Sequence, residues 1–254
     1  MTASTIAAVA KLLAQSKNIV ALTGAGVSTE SGIPDFRSGK GLWDEHDPMD
    51  VASIEGYEED TARFFRFWAG KFSAIAHAKP GPAHRFLAGL EKDRHLKAVI
   101  TQNIDGLHQK AGSKVVYEAH GSFRRVQCLS CGEFEGIASV FARVRADGAR
   151  APACQKCGGR RLKPGVVLFG EMLPKAFADA EWAAKNSEVL LAMGSSLQVH
   201  PVAGLVEKAQ QRGAIVVIIN RDSTAYDDDA DLVLRGEFRA LTDSLQAALS
   251  QRFS

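Results

Sequence analysis

Short apolar runs recur along this chain, with helix-patterned segments between them. Ile19-Val-Ala-Leu22 is the first, and Lys97–Ile100, Val115–Glu118, Val189–Met193, Ile215–Asn220 and Leu232–Leu234 follow. A strand that is apolar along its length has no face left for water, so it lies inside a sheet covered on both sides. That is the situation of parallel strands in α/β folds. Ile6, Val9, Ala10, Leu12 and Leu13 mark one face of an opening helix, and helical patterns recur at His84–Asp93, Phe177–Asn186, Val202–Arg212 and Glu237–Arg252. Two stretches break the alternation. Residues 44–79 are helical and aromatic-rich, and residues 121–165 hold every cysteine. The expected architecture is α/β. Residues 1–43, 80–120 and 166–254 form a parallel sheet with helices on both faces, and 44–79 and 121–165 form a small second domain.

The 4 cysteines fall into two pairs, Cys128-Leu-Ser-Cys131 and Cys154-Gln-Lys-Cys157. Cys-x-x-Cys twice over is the ligand spacing of a tetrahedral Zn²⁺ site. Four thiolates leave no open position on the ion, so this zinc would be structural and the chemistry would lie elsewhere. The alternative is a pair of disulfides. No basic-then-apolar leader is visible in Met1-Thr-Ala-Ser-Thr and no apolar run reaches the length of a bilayer span, so a reducing cytoplasm, free thiolates and no membrane are expected. The net charge of +2 predicts no general attraction to nucleic acid. Between the cysteine pairs, Arg143, Arg145 and Arg150 are offset by Glu133, Glu135 and Asp147, a solvated face rather than a phosphate-binding stripe.

The first strand leads into Thr23-Gly24-Ala25-Gly26-Val27-Ser28. A glycine-rich turn from strand to helix lets backbone N–H groups approach a pyrophosphate. Thr29 stands where a dehydrogenase fingerprint has its third glycine, and no strand ends in an acidic residue at the expected distance; Asp44 lies in a polar loop. A dinucleotide site follows, but not hydride transfer. Other strands also end in polar clusters: Thr101-Gln102-Asn103-Ile104-Asp105, Ala119-His120-Gly121, Gly194-Ser195-Ser196 and Asn220-Arg221-Asp222. Ligands of open parallel sheets bind outside these carboxyl ends. His120, directly after a strand, is the candidate general base. His46, His77, His84, His95, His108 and His200 are assigned to packing or capping.

Taken together these residues resemble the sirtuin family in its bacterial-type form. The matching stretches are Gly24–Ser28, Gly32-Ile-Pro-Asp-Phe-Arg37, Gly41-Leu-Trp43, Gln102–Asp105, His120-Gly121, the cysteine pairs, Phe169-Gly170-Glu171, Gly194–Ser196 and Asn220, in the family's order. The resemblance implies a Rossmann-like NAD-binding domain with a small zinc-bearing domain, and transfer of acyl groups from protein lysine to NAD. It implies that Gly24, Ala25, Gly26, Ser28, Asp35, Phe36, Arg37 and Trp43 wrap NAD, with Phe36 shielding the reacting ribose carbon. Gln102 and Asn103 would position the nicotinamide ribose, with Asn103 also counted as catalytic beside His120. Asp105 would sit at the carboxamide, and Ser195, Ser196, Asn220 and the backbone near Phe238 at the adenosine half, with Ile104, Gly194, Arg221 and Asp222 also counted as cofactor-binding. Val167, Leu168, Phe169 and Gly170 would line the acyl-lysine tunnel and pair with substrate backbone. Cys128, Cys131, Cys154 and Cys157 would hold zinc. The implied partners are acylated proteins, with no nucleic acid or membrane, and the chain is expected to be monomeric.

Family members that prefer succinyl- or malonyl-lysine carry Tyr-x-x-Arg ahead of the segment that here reads Pro80-Gly-Pro-Ala-His84, and Trp68 and Lys71 stand at those positions. Trp68 has no phenol hydroxyl, and a lysine lacks the planar fork of arginine. A deacetylase is expected, with longer uncharged acyl groups accepted and acidic ones removed poorly. If Trp68 and Lys71 instead only pack the small domain and meet solvent, the same preference follows. The competing functions are protein mono-ADP-ribosylation, which shares the cleavage of NAD, and a catalytically silent NAD-binding zinc protein.

Overall fold

The computed structural model describes residues 3–35, 47–147 and 150–251. In chain order the first elements are α1 (Ala3–Gln15), β1 (Ile19–Thr23), a 3-10 segment (Ala25–Ser31), α2 (Pro48–Ala52), α3 (Ile54–Glu59), α4 (Thr61–His77), α5 (Pro82–Lys92), β2 (Leu96–Thr101), α6 (Leu107–Ala111) and β3 (Val116–Glu118). They are followed by β4 (Gly121–Cys128), β5 (Phe134–Gly136), α7 (Ile137–Asp147), β6 (Leu162–Val166), α8 (Ala176–Lys185), β7 (Val189–Met193), α9 (Leu205–Gln210), β8 (Ile215–Asn220), β9 (Leu232–Arg235) and α10 (Phe238–Ser250). The chain divides into two compact units. Met1–Pro34, Lys79–Ala119 and Lys175–Ser254 make the first, and Asp35–Ala78 with His120–Pro174 the second.

The first unit is built on a 6-stranded sheet in the order β3-β2-β1-β7-β8-β9, with every neighbouring pair parallel. Successive side chains of a strand face opposite sides. Ile19 and Ala21 join the buried cluster of Val9, Leu13, Phe86, Leu87, Leu241 and Leu245, contributed by α1, α5 and α10. Val20 and Leu22 face the other way and are buried as well. Both faces of β1 are therefore covered, which is why its sequence is apolar without alternation. From β1 the chain moves outward through β2 and β3, then returns to the other side of β1 at β7. The carboxyl ends of β1 and β7 thus flank the switch point, where doubly wound sheets bind ligands.

The sequence predicts a helix after the glycine turn. The structure has a 3-10 segment there, closed by Gly32 at φ 83°. Ser28 and Ser31 in the segment, with Gly26 and Gly32, weaken helix propagation. The helix expected over Val202–Arg212 is confined to Leu205–Gln210; Gly204, a weak helix former in the expected first turn, stands as its N-cap.

The second unit holds a 3-stranded antiparallel sheet, β5-β4-β6, beside the helices of residues 48–77 and α7. Aromatic rings form its core. Tyr57 meets Phe64 edge-on at 5.3 Å, Trp68 lies 4.9 Å from Phe123, and Phe72 lies 4.8 Å from Phe141. Such contacts contribute about 0.5–1.5 kcal/mol each beyond area burial. The Tyr57 hydroxyl donates to the Leu162 carbonyl at 2.6 Å, tying α3 to β6, and burial pushes its pKa up to about 12. Among the described residues no helix is long and apolar enough to cross a membrane.

Candidate functional site

At the switch point the loops after β1 and β7 meet backbone to backbone. Gly24 N–H donates to Met193 O at 3.1 Å, and Gly26 N–H to Gly194 O at 2.8 Å. A Cβ on Gly24 would stand 2.8 Å from Gly194 O, and one on Gly26 would stand 2.9 Å from Gly194 Cα. Gly194 has φ +61°, and its own Cβ would reach 2.5 Å from Val27 N. Only glycine satisfies both the torsion and the approach. The turn was expected to aim N–H groups at a pyrophosphate. Those of Gly24, Gly26 and Val27 are bonded within the protein, so these glycines hold two loops in register.

A polar network stands on this base. Asn103 Nδ2 donates to Gly24 O at 3.0 Å and to Ser28 Oγ at 3.1 Å, and Asn103 N–H reaches Thr101 Oγ1 at 3.1 Å. The Ser28 hydroxyl donates to Asp105 Oδ2 at 2.7 Å, while Asp105 Oδ1 accepts the Leu107 N–H at 2.8 Å. Gln102 Nε2 donates to Ser195 Oγ at 2.9 Å, linking the ends of β2 and β7. Asn103, Ser28 and Ser195 are buried; Gln102, Ile104, Asp105, Ala25 and Ser196 are partly exposed.

The network also includes His84, which the sequence reading assigned to packing. Its Nδ1 accepts the Gly81 N–H at 3.1 Å, so the ring proton sits on Nε2, facing Ser28 Oγ at 3.4 Å. Ser28 Oγ thus accepts twice and donates once, its full capacity. His108, also assigned to packing, lies against His84 with centroids 4.7 Å apart and the rings tilted by 60°, and its Nε2 bonds Thr23 Oγ1 at 2.9 Å. Burial lowers the His84 pKa to about 4 against an opposing pull from Asp105, and lowers that of His108 to about 3 with help from His84. The signal that could have exposed His84 is its place just after the Pro80–Pro82 turn, which returns the chain to the β1 loop; no spacing rule marks it.

Of the other predicted residues, Asn220, Arg221 and Asp222 stand at and after the end of β8, and Phe238 opens α10. Asn220 Nδ2 caps the Asp222 carbonyl at 2.8 Å, Arg221 pairs with Asp222 at 3.1 Å, and Phe238 is buried at the start of α10. Phe36, Arg37 and Trp43 fall outside the described residues, as does His46. Asp35 is partly exposed.

In the second unit, the His120 carbonyl accepts the Val167 N–H at 2.8 Å. Gly121 follows at φ +71°, and a Cβ there would stand 2.1 Å from Gly165 O, so the chain leaving His120 has room only for glycine. The stretch Val167–Phe169 is held from its other end by Phe169 N–H to Ala52 O at 2.8 Å and Ile54 N–H to Phe169 O at 2.9 Å. Val167 is partly exposed, Leu168 is buried, and Phe169 and Gly170 are exposed. Trp68 is buried and gives its indole N–H to Val51 O at 2.7 Å. Lys71 Nζ lies 5.8 Å from the centre of the Phe67 ring.

The cysteine sulfurs converge, all within 4.8 Å of one another. Cys128 and Cys157 are 3.7 Å apart, Cys131 and Cys154 3.8 Å. A tetrahedron with Zn–S arms of about 2.3 Å has edges of roughly 3.8 Å, and a disulfide needs about 2.05 Å. The thiols are free and sized for one zinc ion. Each pair is shaped alike: Gly132 N–H returns to Cys128 O at 2.8 Å and Gly158 N–H to Cys154 O at 2.9 Å. The nearby cations are matched by acids, Arg143 with Glu135 and Lys156 with Glu133, both at 2.6 Å.

A glycine-braced switch point and a polar strand-end network stand where doubly wound α/β sheets take nucleotides, and the four thiols stand where one metal ion would be held. The sequence model of the Sir2 family matches residues 24–201. Among curated relatives, the NAD-dependent protein deacetylase of Sulfolobus acidocaldarius is 44% identical over 227 residues, covering 89% of this chain and 88% of the relative. NAD-dependent protein deacylase 2 of Archaeoglobus fulgidus is 44% identical over 229 residues, with 90% and 89% covered. Among solved structures, a Sir2 enzyme with deacetylated p53 peptide and 3'-O-acetyl ADP-ribose has a TM-score of 0.91 at 34% identity, covering 96% of this chain and 98% of that one. Sir2Af2 bound to a myristoylated histone peptide has a TM-score of 0.84 at 34% identity, with 99% of each chain covered. This chain belongs to the Sir2 family.

Two outcomes are expected. Cys154→Ala will lower the zinc content of freshly purified protein from about one ion per chain towards zero and lower the melting temperature, since such metal binding is coupled to folding; elemental analysis beside a thermal melt checks both. The second concerns acid. His84 and His108 resist protonation in the folded chain and accept it readily when unfolded, near 6.5. Their contribution to stability is complete above about pH 6.5 and is lost as pH falls towards 4. Denaturant titrations from pH 7 to pH 4 will show the unfolding free energy falling in that window, and His108→Gln will flatten the slope.

Proposed function

We propose that this protein removes acetyl groups, and longer uncharged acyl groups, from lysine side chains of proteins, consuming NAD as second substrate. The products are nicotinamide, O-acyl-ADP-ribose and free lysine. The observation that carries this reading is the Asn103–Ser28–Asp105 network built on Gly24 at the switch point of a parallel sheet. It offers fixed polar groups where such sheets take nucleotides, in a chain whose relatives bear the names of NAD-dependent deacetylases and deacylases.

In this reading the first compact unit is the NAD-binding domain and the second the zinc-bearing domain. Gly24, Ala25, Gly26 and Ser28 line the NAD site, and the resemblance assigns Asp35, Phe36, Arg37 and Trp43 to NAD as well. Gln102, Asn103, Ile104 and Asp105 serve the nicotinamide end. Gly194, Ser195, Ser196, Asn220, Arg221, Asp222 and Phe238 serve the adenosine end. The acyl oxygen bonds to the ribose carbon as nicotinamide leaves with the electron pair of the broken bond. His120 then takes a proton by way of the ribose hydroxyls, so that an oxygen attacks the acyl carbon and water completes release. The protein mainly positions and desolvates. Val167–Gly170 receive substrate by strand addition, which tolerates many sequences. Four thiolates fit a reducing compartment, and we place the protein in the cytoplasm.

Trp68 and Lys71 bear on the acyl group. The indole N–H is committed to Val51 O, and Lys71 Nζ lies by the Phe67 ring. Neither offers a bidentate fork to a carboxylate. The relative Sir2Af2 binds a myristoylated peptide, in keeping with long uncharged chains.

Mass analysis of an acetyl-lysine peptide incubated with NAD tests the reaction. Loss of the acetyl mass with formation of O-acetyl-ADP-ribose is expected, whereas a peptide gaining ADP-ribose would establish transferase chemistry instead. His120→Ala will keep its fold and NAD binding and lose about 10²–10⁴-fold in turnover; wild-type turnover in this variant would remove His120 from its role. On one peptide sequence, kcat/KM for acetyl-lysine will exceed that for succinyl-lysine by at least about tenfold, the worth of one charge-assisted contact. A succinyl preference that disappears in Lys71→Met would reverse the assignment.

A further inference from the structure

Lys163 and Glu171 meet across the stretch proposed to receive the acyl-lysine. Their side chains are 13% and 26% exposed and lie 2.9 Å apart. Each also binds backbone. Lys163 Nζ donates to Val166 O at 2.8 Å and to Pro164 O at 3.2 Å. Glu171 Oε2 accepts the Leu168 N–H at 2.8 Å, and Glu171 N–H closes a turn onto Leu168 O at 3.0 Å, with Gly170 at φ +88° inside the turn.

These contacts fall on two consecutive peptide planes. A trans peptide is rigid, and its N–H and C=O point in opposite directions. The plane joining Val166 to Val167 is pinned at both ends, its carbonyl by Lys163 and its N–H by the His120 carbonyl. The plane joining Val167 to Leu168 is pinned at its N–H by Glu171. That contact fixes the direction of the Val167 carbonyl, opposite the carboxylate. The ion pair couples the two planes, so the Val167 carbonyl cannot swing without breaking a charged contact.

We infer that Lys163 and Glu171 are positioning residues that hold the Val167 carbonyl as the acceptor for an amide N–H of the acylated substrate. This rests on the proposed deacylation and on Val167–Gly170 as its substrate edge. Without the pair the N–H of the 167–168 plane loses its one side-chain anchor while the backbone bonds on either side remain, and peptide binding loses the benefit of a preset acceptor. NAD contacts are assigned to other residues, so the loss falls on one substrate alone.

The test uses full-length Lys163→Met, Glu171→Ala and Lys163→Arg, with an acetyl-lysine peptide and NAD each varied at saturation of the other, beside peptide binding by calorimetry and a thermal melt. Expected for the first two variants is a rise of roughly ten- to hundredfold in KM and Kd for peptide, the effect of a charge-assisted hydrogen bond. The KM for NAD stays within about twofold, and Lys163→Arg, which keeps the charge, recovers peptide KM to within a few-fold of wild type. Unchanged peptide KM and Kd in both loss variants overturn the inference while leaving the deacylation standing. So does a parallel loss of NAD and peptide affinity tracking the melting temperature, because that is the signature of a brace without a positioning role. A wild-type protein that neither binds nor turns over the acetylated peptide defeats the functional reading, and this inference with it.

Discussion

The loops after β1 and β7 approach until only glycine fits between them, and the polar network at the strand ends follows from that contact. With Gly194 facing Gly24 and Gly26, the Gly24 carbonyl is placed for Asn103, and Asn103 then orders Ser28 and Asp105. The contact itself depends on β1 and β7 being neighbours in register, Thr23 beside Met193. Apolar strand sequences, parallel pairing, the switch point and the polar network therefore form one chain of dependence. A side chain at Gly194 would act at its foot, where strain is not absorbed by a flexible neighbour but by the Val27 backbone.

Much of this was legible in the sequence. Runs such as Val189–Met193 and Ile215–Asn220 match β7 and β8 end for end, because continuous burial leaves a continuous apolar signature. The cysteine pairs announced their cluster through spacing alone. What stayed hidden were interactions between residues far apart in the chain. His84 looked like a packing histidine because nothing local shows that Gly81 fixes its tautomer or that Ser28 stands beside it. The glycine turn was correctly placed, yet the Gly24 and Gly26 N–H groups bond Met193 and Gly194, some 170 residues away in the chain. Lys163 gave no signal either, and Glu171 entered only as the end of the Phe169-Gly170-Glu171 match, with nothing to mark the two as partners. A lysine near a proline and a glutamate after a glycine are ordinary until the chain folds them together.

The second unit joins its pieces by a different principle. Its segments are distant in sequence and held by few but specific bonds. Tyr57 reaches Leu162, Ser53 bridges to Phe169, and the cysteine knuckles join residues near 130 to residues near 155. A small unit with a modest aromatic core gains from such ties. The tie at Phe169 and the turn at Gly170 belong to the same stretch that carries the proposed substrate edge, so the order of that edge depends on the assembly of the whole unit.

The fixed tautomer of His84 has a consequence for proton counting. A backbone N–H cannot reverse its polarity, so the sequence Gly81 to His84 to Ser28 to Asp105 runs in one direction, every donor pointing towards the carboxylate. Such an arrangement orients dipoles but cannot pass a proton along, and with both buried imidazoles neutral its charge is constant across the neutral range. The electrostatic field it presents is therefore a constant of the folded chain. A bend in a rate profile near neutrality therefore belongs to neither His84 nor His108.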